Sequence, residues 1–239
     1  MTPNPRDRVQ LFCQDGYFVV PRFLAGTELD ELRRPCDLAL AQARTHSDQK
    51  GHSTPSINLI AAATDPGLAP AVLQSLLGFA SSPRVCALLV ALTYPGEDDT
   101  PRLQKLDYYH EQTKRDWDGD WHRDSQFIAH DMEHERALIA NTTSVHVRVA
   151  LEDDDRLELV PGSHRRWDTP AELRVRKGAT RATHDMPEST RIVLRAGDVC
   201  VFHAWSIHRG TYQCRPVRRT LDCLYAFGRP PASQFKAPE

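Results

Sequence analysis

Trp121-His122-Arg123-Asp124 places an imidazole and a carboxylate two residues apart. On an extended chain, residues i and i+2 point to one side, so both groups can reach a single metal ion. A second imidazole stands downstream. Arg195-Ala196-Gly197-Asp198 reads as a turn into the apolar run Val199-Cys200-Val201-Phe202-His203, which Trp205-Ser206-Ile207-His208-Arg209-Gly210 follows. His208 sits just past that strand, before a glycine that permits a tight bend. His203 lies inside the strand and reads as structural or as a support for the metal site. Two imidazoles and one carboxylate on one side of a metal leave three positions open, the facial triad of non-haem Fe(II) oxygenases. Those positions suit a chelating 2-oxo acid and then dioxygen.

Such a co-substrate needs its far carboxylate anchored, and the planar fork of arginine matches a carboxylate best. Arg219 opens the run Arg219-Thr220-Leu221-Asp222-Cys223-Leu224-Tyr225. Residues 219, 221, 223 and 225 share one face, and the last three are apolar. An arginine on an inward apolar row must be paired, because a lone buried charge is costly. Arg219 is therefore the expected anchor, and Arg218, in the row of Thr220 and Asp222, is expected to meet solvent.

The elements that must position these groups change character along the chain. Asp15 to Leu24 reads as a turn and a short strand, and Thr27 as the start of a helix reaching about Thr45. Residues 46–57 are polar and aperiodic, a loop, and Pro66 to Leu92 gives one or two more helices. After Pro101, short apolar or alternating runs at 103–109, 138–151, 157–160, 191–194, 199–203 and 219–227 are separated by Asp, Gly, Pro and Ser clusters. That spacing argues for an antiparallel barrel or jelly roll with helices packed outside it, as one domain over 1–239 with the β core at about 101–228. The tail from Arg229 onward is Pro-rich and is expected to fray.

The bulk numbers narrow the function. Of 239 residues, 40% are hydrophobic and 26% charged, enough for a sizeable core. A net charge of −2 gives no overall attraction to nucleic acid or anionic lipid, and the basic residues at 165–166 and 174–177 read as a solvated face. No run approaches a membrane span and the first residues carry no apolar signal segment. Six cysteines without CxxC spacing form neither a zinc pattern nor a disulfide framework, so a cytoplasmic location is expected.

With these residues in view, the chain resembles the phytanoyl-CoA dioxygenase family of Fe(II)/2-oxoglutarate oxygenases. DGYFVVPRFL with its following helix is similar to the family's N-terminal block, WHRD to its metal motif, ALEDDDRLELVPGSH to its strand-turn signature and RAGDVCVFHAWSIHRG to its distal-histidine block. The resemblance extends from about residue 11 to 227. It implies a mainly β fold with flanking helices, the double-stranded β-helix. It assigns His122, Asp124 and His208 to iron, and Arg219 to 2-oxoglutarate. Arg148 replaces an aromatic residue usual near 2-oxoglutarate and could hold the co-substrate or an anionic substrate, or face solvent. Gln104 matches a further co-substrate position. Gln126, His146, Tyr108, Arg209 and Trp205 are candidates for the substrate pocket, with His110 and His130 nearby, while His164 of the PGSH turn reads as structural.

The implied reaction is hydroxylation of an unactivated C–H of a small or medium metabolite, polar or acidic, with release of succinate and CO2. Because Asp124 is present, halogenation is disfavoured. Desaturation, cyclisation or epimerisation at the same iron are the alternatives, beside a cupin-like metal protein that does not use 2-oxoglutarate and a non-catalytic binding barrel. Expected partners are that metabolite, Fe(II), 2-oxoglutarate and O2, with no nucleic acid or membrane, in a monomer or homodimer.

Overall fold

The computed structural model describes residues 4–50, 56–62, 68–92, 100–110, 116–179, 185–214 and 218–227. The chain begins with α1 (Pro5–Asp15), β1 (Tyr17–Val20) and α2 (Thr27–Lys50), then β2 (Ser56–Asn58), α3 (Leu59–Ala62), α4 (Pro70–Ala80) and α5 (Pro83–Val90). The β-rich part runs β3 (Arg102–Tyr109), β4 (Trp117–Asp118), α6 (Met132–Asn141), β5 (Thr143–Ala150) and β6 (Asp154–Leu159), and continues with α7 (Pro170–Arg176), β7 (Thr190–Leu194), β8 (Val199–His203), β9 (His208–Tyr212) and β10 (Thr220–Phe227).

Local chemistry sets the boundaries. Asn4 caps α1 in a reciprocal capping box with Asp7, Pro5 occupies its first turn, and Gly16 ends it at φ 82°. Only glycine fits at position 16 on two counts: the left-handed backbone, and a β-carbon that would lie 2.5 Å from Nδ1 of His164. The turn between α1 and β1 is thereby pressed against the Pro161-Gly162-Ser163-His164 turn, where Gly162 N–H donates to Asp15 O at 2.8 Å.

Two antiparallel sheets form the centre. The larger has the order β1-β8-β5-β10-β3-β2 and the smaller β4-β9-β6-β7. They face one another in jelly-roll fashion without closing into a barrel. Across the gap at one end, Ala150, Cys200 and Phe202 of the larger sheet pack with Leu157, Leu159, Ile192 and Leu194 of the smaller. The other face of the larger sheet, with Val145, Val147, Val149, Leu221 and Cys223, is covered by the helices through residues such as Phe12, Leu32, Leu76 and Leu89. All of β5 is consequently buried, although it alternates apolar and polar residues.

The helical first third and the strand runs match the expectation, with local differences. Helix α2 extends to Lys50, and β2 and α3 occupy ground read as loop or left unassigned. Residues 138–141 belong to α6, the strand starting only at Thr143, because Asp131 caps that helix and carries it past the apolar pair Leu138-Ile139. His208 opens a strand where a bend was expected. The tail beyond Phe227 lies outside the described residues. Among them, no single helix is long and apolar enough to cross a membrane.

His164 is 1% exposed, and burial, with Arg165 and Arg123 nearby, pushes its pKa down to about 3. In the unfolded chain it titrates near 6.5. Between those values the unfolded state binds the extra proton, so stability falls as pH drops below about 6.5, by up to about 1.4 kcal/mol per pH unit for this group. Replacing His164 with Gln should make the acid limb of a melting-temperature-versus-pH curve shallower between pH 6.5 and 4. An unchanged slope would mean that another group controls acid unfolding.

Candidate active site

Two backbone hydrogen bonds bring the distant histidines together. His122 N–H donates to His208 O at 3.0 Å and His208 N–H to His122 O at 2.9 Å, an isolated antiparallel bridge. Asp124 N–H donates to Ala204 O at 3.1 Å, and a 3-10 turn begins there. The segment carrying His122 and Asp124 is thus laid along the segment that leads from β8 to β9.

The ring orientations follow from their neighbours. His122 Nδ1 lies 2.6 Å from Asp120 O, and His208 Nδ1 lies 2.9 Å from Ser206 O. A carbonyl only accepts, so each Nδ1 carries the proton and each Nε2 presents a lone pair. Both Nε2 atoms face Asp124 Oδ1, at 3.4 Å from His122 and 3.6 Å from His208. Ligand atoms of all three residues lie within 4.8 Å of one another, a spacing that admits one metal ion. Burial, with His122 beside it, holds His208 down to about 3, so it stays neutral. Burial alone would raise Asp124, but its contacts with His122 and His146 outweigh it and keep the carboxyl ionised. Two neutral imidazoles and one carboxylate fit a divalent iron ion with an open side.

Sequence reasoning passed over Arg123, the residue between the two motif ligands. It is fully buried. Nε donates to Asp168 Oδ1 at 2.8 Å, Nη1 to Ser163 O at 2.8 Å and also to Trp205 O, and Nη2 to Arg166 O at 3.2 Å. Asp168 in turn accepts from Arg176 Nε at 2.6 Å, and Arg176 pairs with Glu135 at 2.7 Å. This chain of buried charges ties the metal segment to the PGSH turn, α6 and α7. The signal available in the sequence was its position, since alternation along an extended chain turns it away from the ligand side.

The three ligands open onto a cavity of about 640 Å³. Gln104, His146, Arg148 and Trp205 line it. Gln104 does so because a bulge in the β10–β3 pairing turns both it and Lys105 inward. Five candidates lie elsewhere. Tyr108 is buried on the helix-covered face of β3, and Tyr109 takes the place in the cavity wall. Gln126 accepts from Arg176 at 2.9 Å. Arg209, next to His208 on β9 and so on the opposite face, pairs with Glu158 at 2.6 Å and covers the Trp121 ring. His130 stands exposed beside His134. His110 is buried near Tyr108 and does not line the cavity. His203 is buried against Phe12 and His164, away from the ligands.

Arg219 and Arg218 have exchanged the surroundings expected of them. Arg219 points to the helical side, where it pairs with Asp37 of α2 at 3.0 Å. Arg218 is the buried one, 1% exposed, with its guanidinium between the rings of Tyr109 and Tyr212, 5.3 Å from each centroid. Its Nε is 3.4 Å from Asp154 Oδ1, and its buried Nη2 has no hydrogen-bond partner among the described residues. The apolar row of β10 packs under the helices, so the row facing the second sheet is the polar one.

Removing Arg123 would leave Asp168 buried and undercompensated. Arg123→Met should lower stability by about 3–5 kcal/mol in urea unfolding and weaken metal retention; a loss under 1 kcal/mol would refute the tethering role. Asp124→Ala should abolish Fe(II) retention in anaerobic titrations, and wild-type affinity would remove this residue from the ligand set.

Residues 12–213 match the phytanoyl-CoA dioxygenase (PhyH) family. No curated protein matches the chain in sequence. Among solved structures, AviO1 from Streptomyces viridochromogenes Tue57 is similar with a TM-score of 0.65 at 20% identity, over 100% of both chains. The non-haem α-ketoglutarate-dependent epimerase SnoN from nogalamycin biosynthesis has a TM-score of 0.62 at 21% identity, over 92% of this chain and 80% of its own. EvdO2 from Micromonospora carbonacea var. aurantiaca, solved with 2-oxoglutarate, has a TM-score of 0.63 at 14% identity, over 100% of this chain and 98% of its own. These structures share the fold, and the family match extends over most of the sequence: the chain belongs to the phytanoyl-CoA dioxygenase family of iron- and 2-oxoglutarate-dependent oxygenases.

Proposed function

We propose that the protein hydroxylates an unactivated C–H of a small or medium amphiphilic metabolite, with conversion of 2-oxoglutarate to succinate and CO2. The observation that carries this reading is the convergence of His122 Nε2, Asp124 Oδ1 and His208 Nε2 on one point that faces a 640 Å³ cavity. When bound there, iron supplies the activation of dioxygen that hydroxylation requires. The chain's own residues supply placement. The carbonyls of Asp120 and Ser206 fix the two rings, and Asp124 contributes the one negative ligand.

Arg218, in place of Arg219, is the proposed anchor for the distal carboxylate of 2-oxoglutarate. Gly210 stands two residues after His208 on the same face of β9, about 7 Å along the strand. A β-carbon on Gly210 would lie 3.3 Å from Arg218 Nη1, so the guanidinium lies just inside the sheet at that level. That offset suits a five-carbon diacid held at both ends. Arg148 is less available, because Nε and Nη2 both serve Asp222.

The cavity also argues about substrate. Phe127, Ile128, Leu138, Trp205 and Leu224 form an apolar wall, while Arg102 and Gln104 stand exposed on the opposite strand. An apolar body with a polar or acidic end fits both. Arg148, Arg209 and His146, which suggested an acidic substrate from sequence, are occupied by Asp222, Glu158 and Asp124. Asp124 leaves no small residue at the ligand position that halogenation would use. The likeness to an epimerase keeps a second outcome at the same centre in view, hydrogen removal and return at one carbon, which product analysis separates from hydroxylation.

Protein loaded anaerobically with Fe(II) should release succinate from 2-oxoglutarate once O2 is admitted, and none at all would refute the reading. Losing a charge-assisted anchor of about 1.5–3 kcal/mol corresponds to roughly 10- to 100-fold in affinity. Arg218→Ala should therefore raise the KM for 2-oxoglutarate by that factor, with Arg218→Lys intermediate and Arg219→Ala near wild type. The reverse order would return the role to Arg219.

A further inference from the structure

The two oxygens of Asp124 have different partners. Oδ1 points between His122 and His208. Oδ2 turns away and lies 2.9 Å from Nε2 of His146. His146 is itself held on three sides. Its Nδ1 is 2.8 Å from Asp222 Oδ1, and its ring lies on Phe202 at 4.4 Å and 8°. The other oxygen of Asp222 takes Nε of Arg148 at 2.7 Å together with Nη2, and the Arg148 guanidinium rests over Tyr109 and Phe202. Strand register builds this row: Arg148 and Asp222 are directly paired across β5 and β10, and His146 lies two residues along β5 on the same face. Each imidazole nitrogen faces a carboxylate oxygen, so the ring is placed to donate on both sides.

Resting on the iron centre proposed above, we infer that His146 is a positioning residue that keeps Asp124 attached to the metal through Oδ1 alone. A carboxylate can bind a metal through one oxygen or both. Chelation by Asp124 would fill a fourth coordination position and leave two. Bidentate 2-oxoglutarate needs two adjacent positions and dioxygen a third. A donor fixed on Oδ2 removes the competing mode without itself touching the metal, and the Asp222–Arg148 pair keeps that donor from swinging away. His146 was anticipated as a substrate contact. In the structure both nitrogens are engaged, so its effect passes through Asp124.

Co(II) in place of Fe(II) makes the test independent of turnover, because its visible absorption reports coordination. His146→Phe and His146→Leu remove the donor while filling the space, and His146→Gln keeps an N–H able to reach Oδ2. Folding of each is checked by its melting temperature. In the unaltered protein, Co(II) should bind and 2-oxoglutarate should perturb its spectrum. In whichever of the Phe and Leu variants folds, the Co(II) spectrum should change and 2-oxoglutarate affinity for the cobalt protein should fall at least about tenfold, as expected for loss of an outer partner of a metal ligand. His146→Gln should recover most of both. Wild-type spectra and affinities in the Phe or Leu variant would overturn the inference while leaving the metal centre intact, as would a Gln variant no better than Phe. Failure of the unaltered protein to bind Co(II) would instead remove the metal centre, and the inference with it.

Discussion

The architecture depends on a pair of main-chain hydrogen bonds. His122 and His208 donate to each other's carbonyls, and this exchange sets the separation of their rings before any metal is considered. Each such bond is worth only about 1 kcal/mol net. Their effect is larger because both segments are already ordered, one by β6 and β4 beside β9, the other by the buried Arg123. A metal site assembled from segments remote in sequence needs such a bridge, since side-chain packing alone would leave the ligand spacing loose. Each imidazole is in turn oriented by the carbonyl two residues before it.

Charge is managed by confinement. Arg123, Asp168, Arg176 and Glu135 form one buried set behind the metal segment, and His146, Asp222 and Arg148 form another beside the cavity. In both, opposite charges meet at short range where water cannot screen them. The first set holds elements together and the second holds side chains in place. Breaking either by removing one member leaves a charge in a medium that cannot solvate it, which costs more than the intact pair contributes.

Much of this was legible in the sequence. The turn at Gly16, the helical first third, the run of short strands and the His122, Asp124, His208 set all stand where composition and spacing indicated. What failed was facing. Period-two alternation says which residues of a strand share a side but not which side lies inward. Reading the apolar row of β10 as inward is sound for a sandwich with solvent outside. Here helices cover the outer face, so the apolar row belongs there and the polar row lines the interior that must hold charged groups. That inversion turned Arg219 and Tyr108 to the helical side, put Tyr109 in the cavity wall and left Arg218 buried between the rings of Tyr109 and Tyr212. Arg209 misled differently, since a neighbour of a ligand on a strand necessarily points the other way. Tertiary partners such as Asp222 for His146 lay beyond sequence reasoning, because strand register is set by the assembled sheet.

The cavity mouth carries a consequence of its own. Phe127, beside the His122 ring, and Ile128 are 69% and 61% exposed although both line the cavity. With helices sealing the far side of the larger sheet, this greasy threshold is where the protein's interior meets the bulk. It is a stretch of hydrophobic interior that lacks its opposite wall. A guest molecule that settles there supplies the missing wall and sends ordered water back to the bulk, so its association should carry the negative heat-capacity change that accompanies apolar burial.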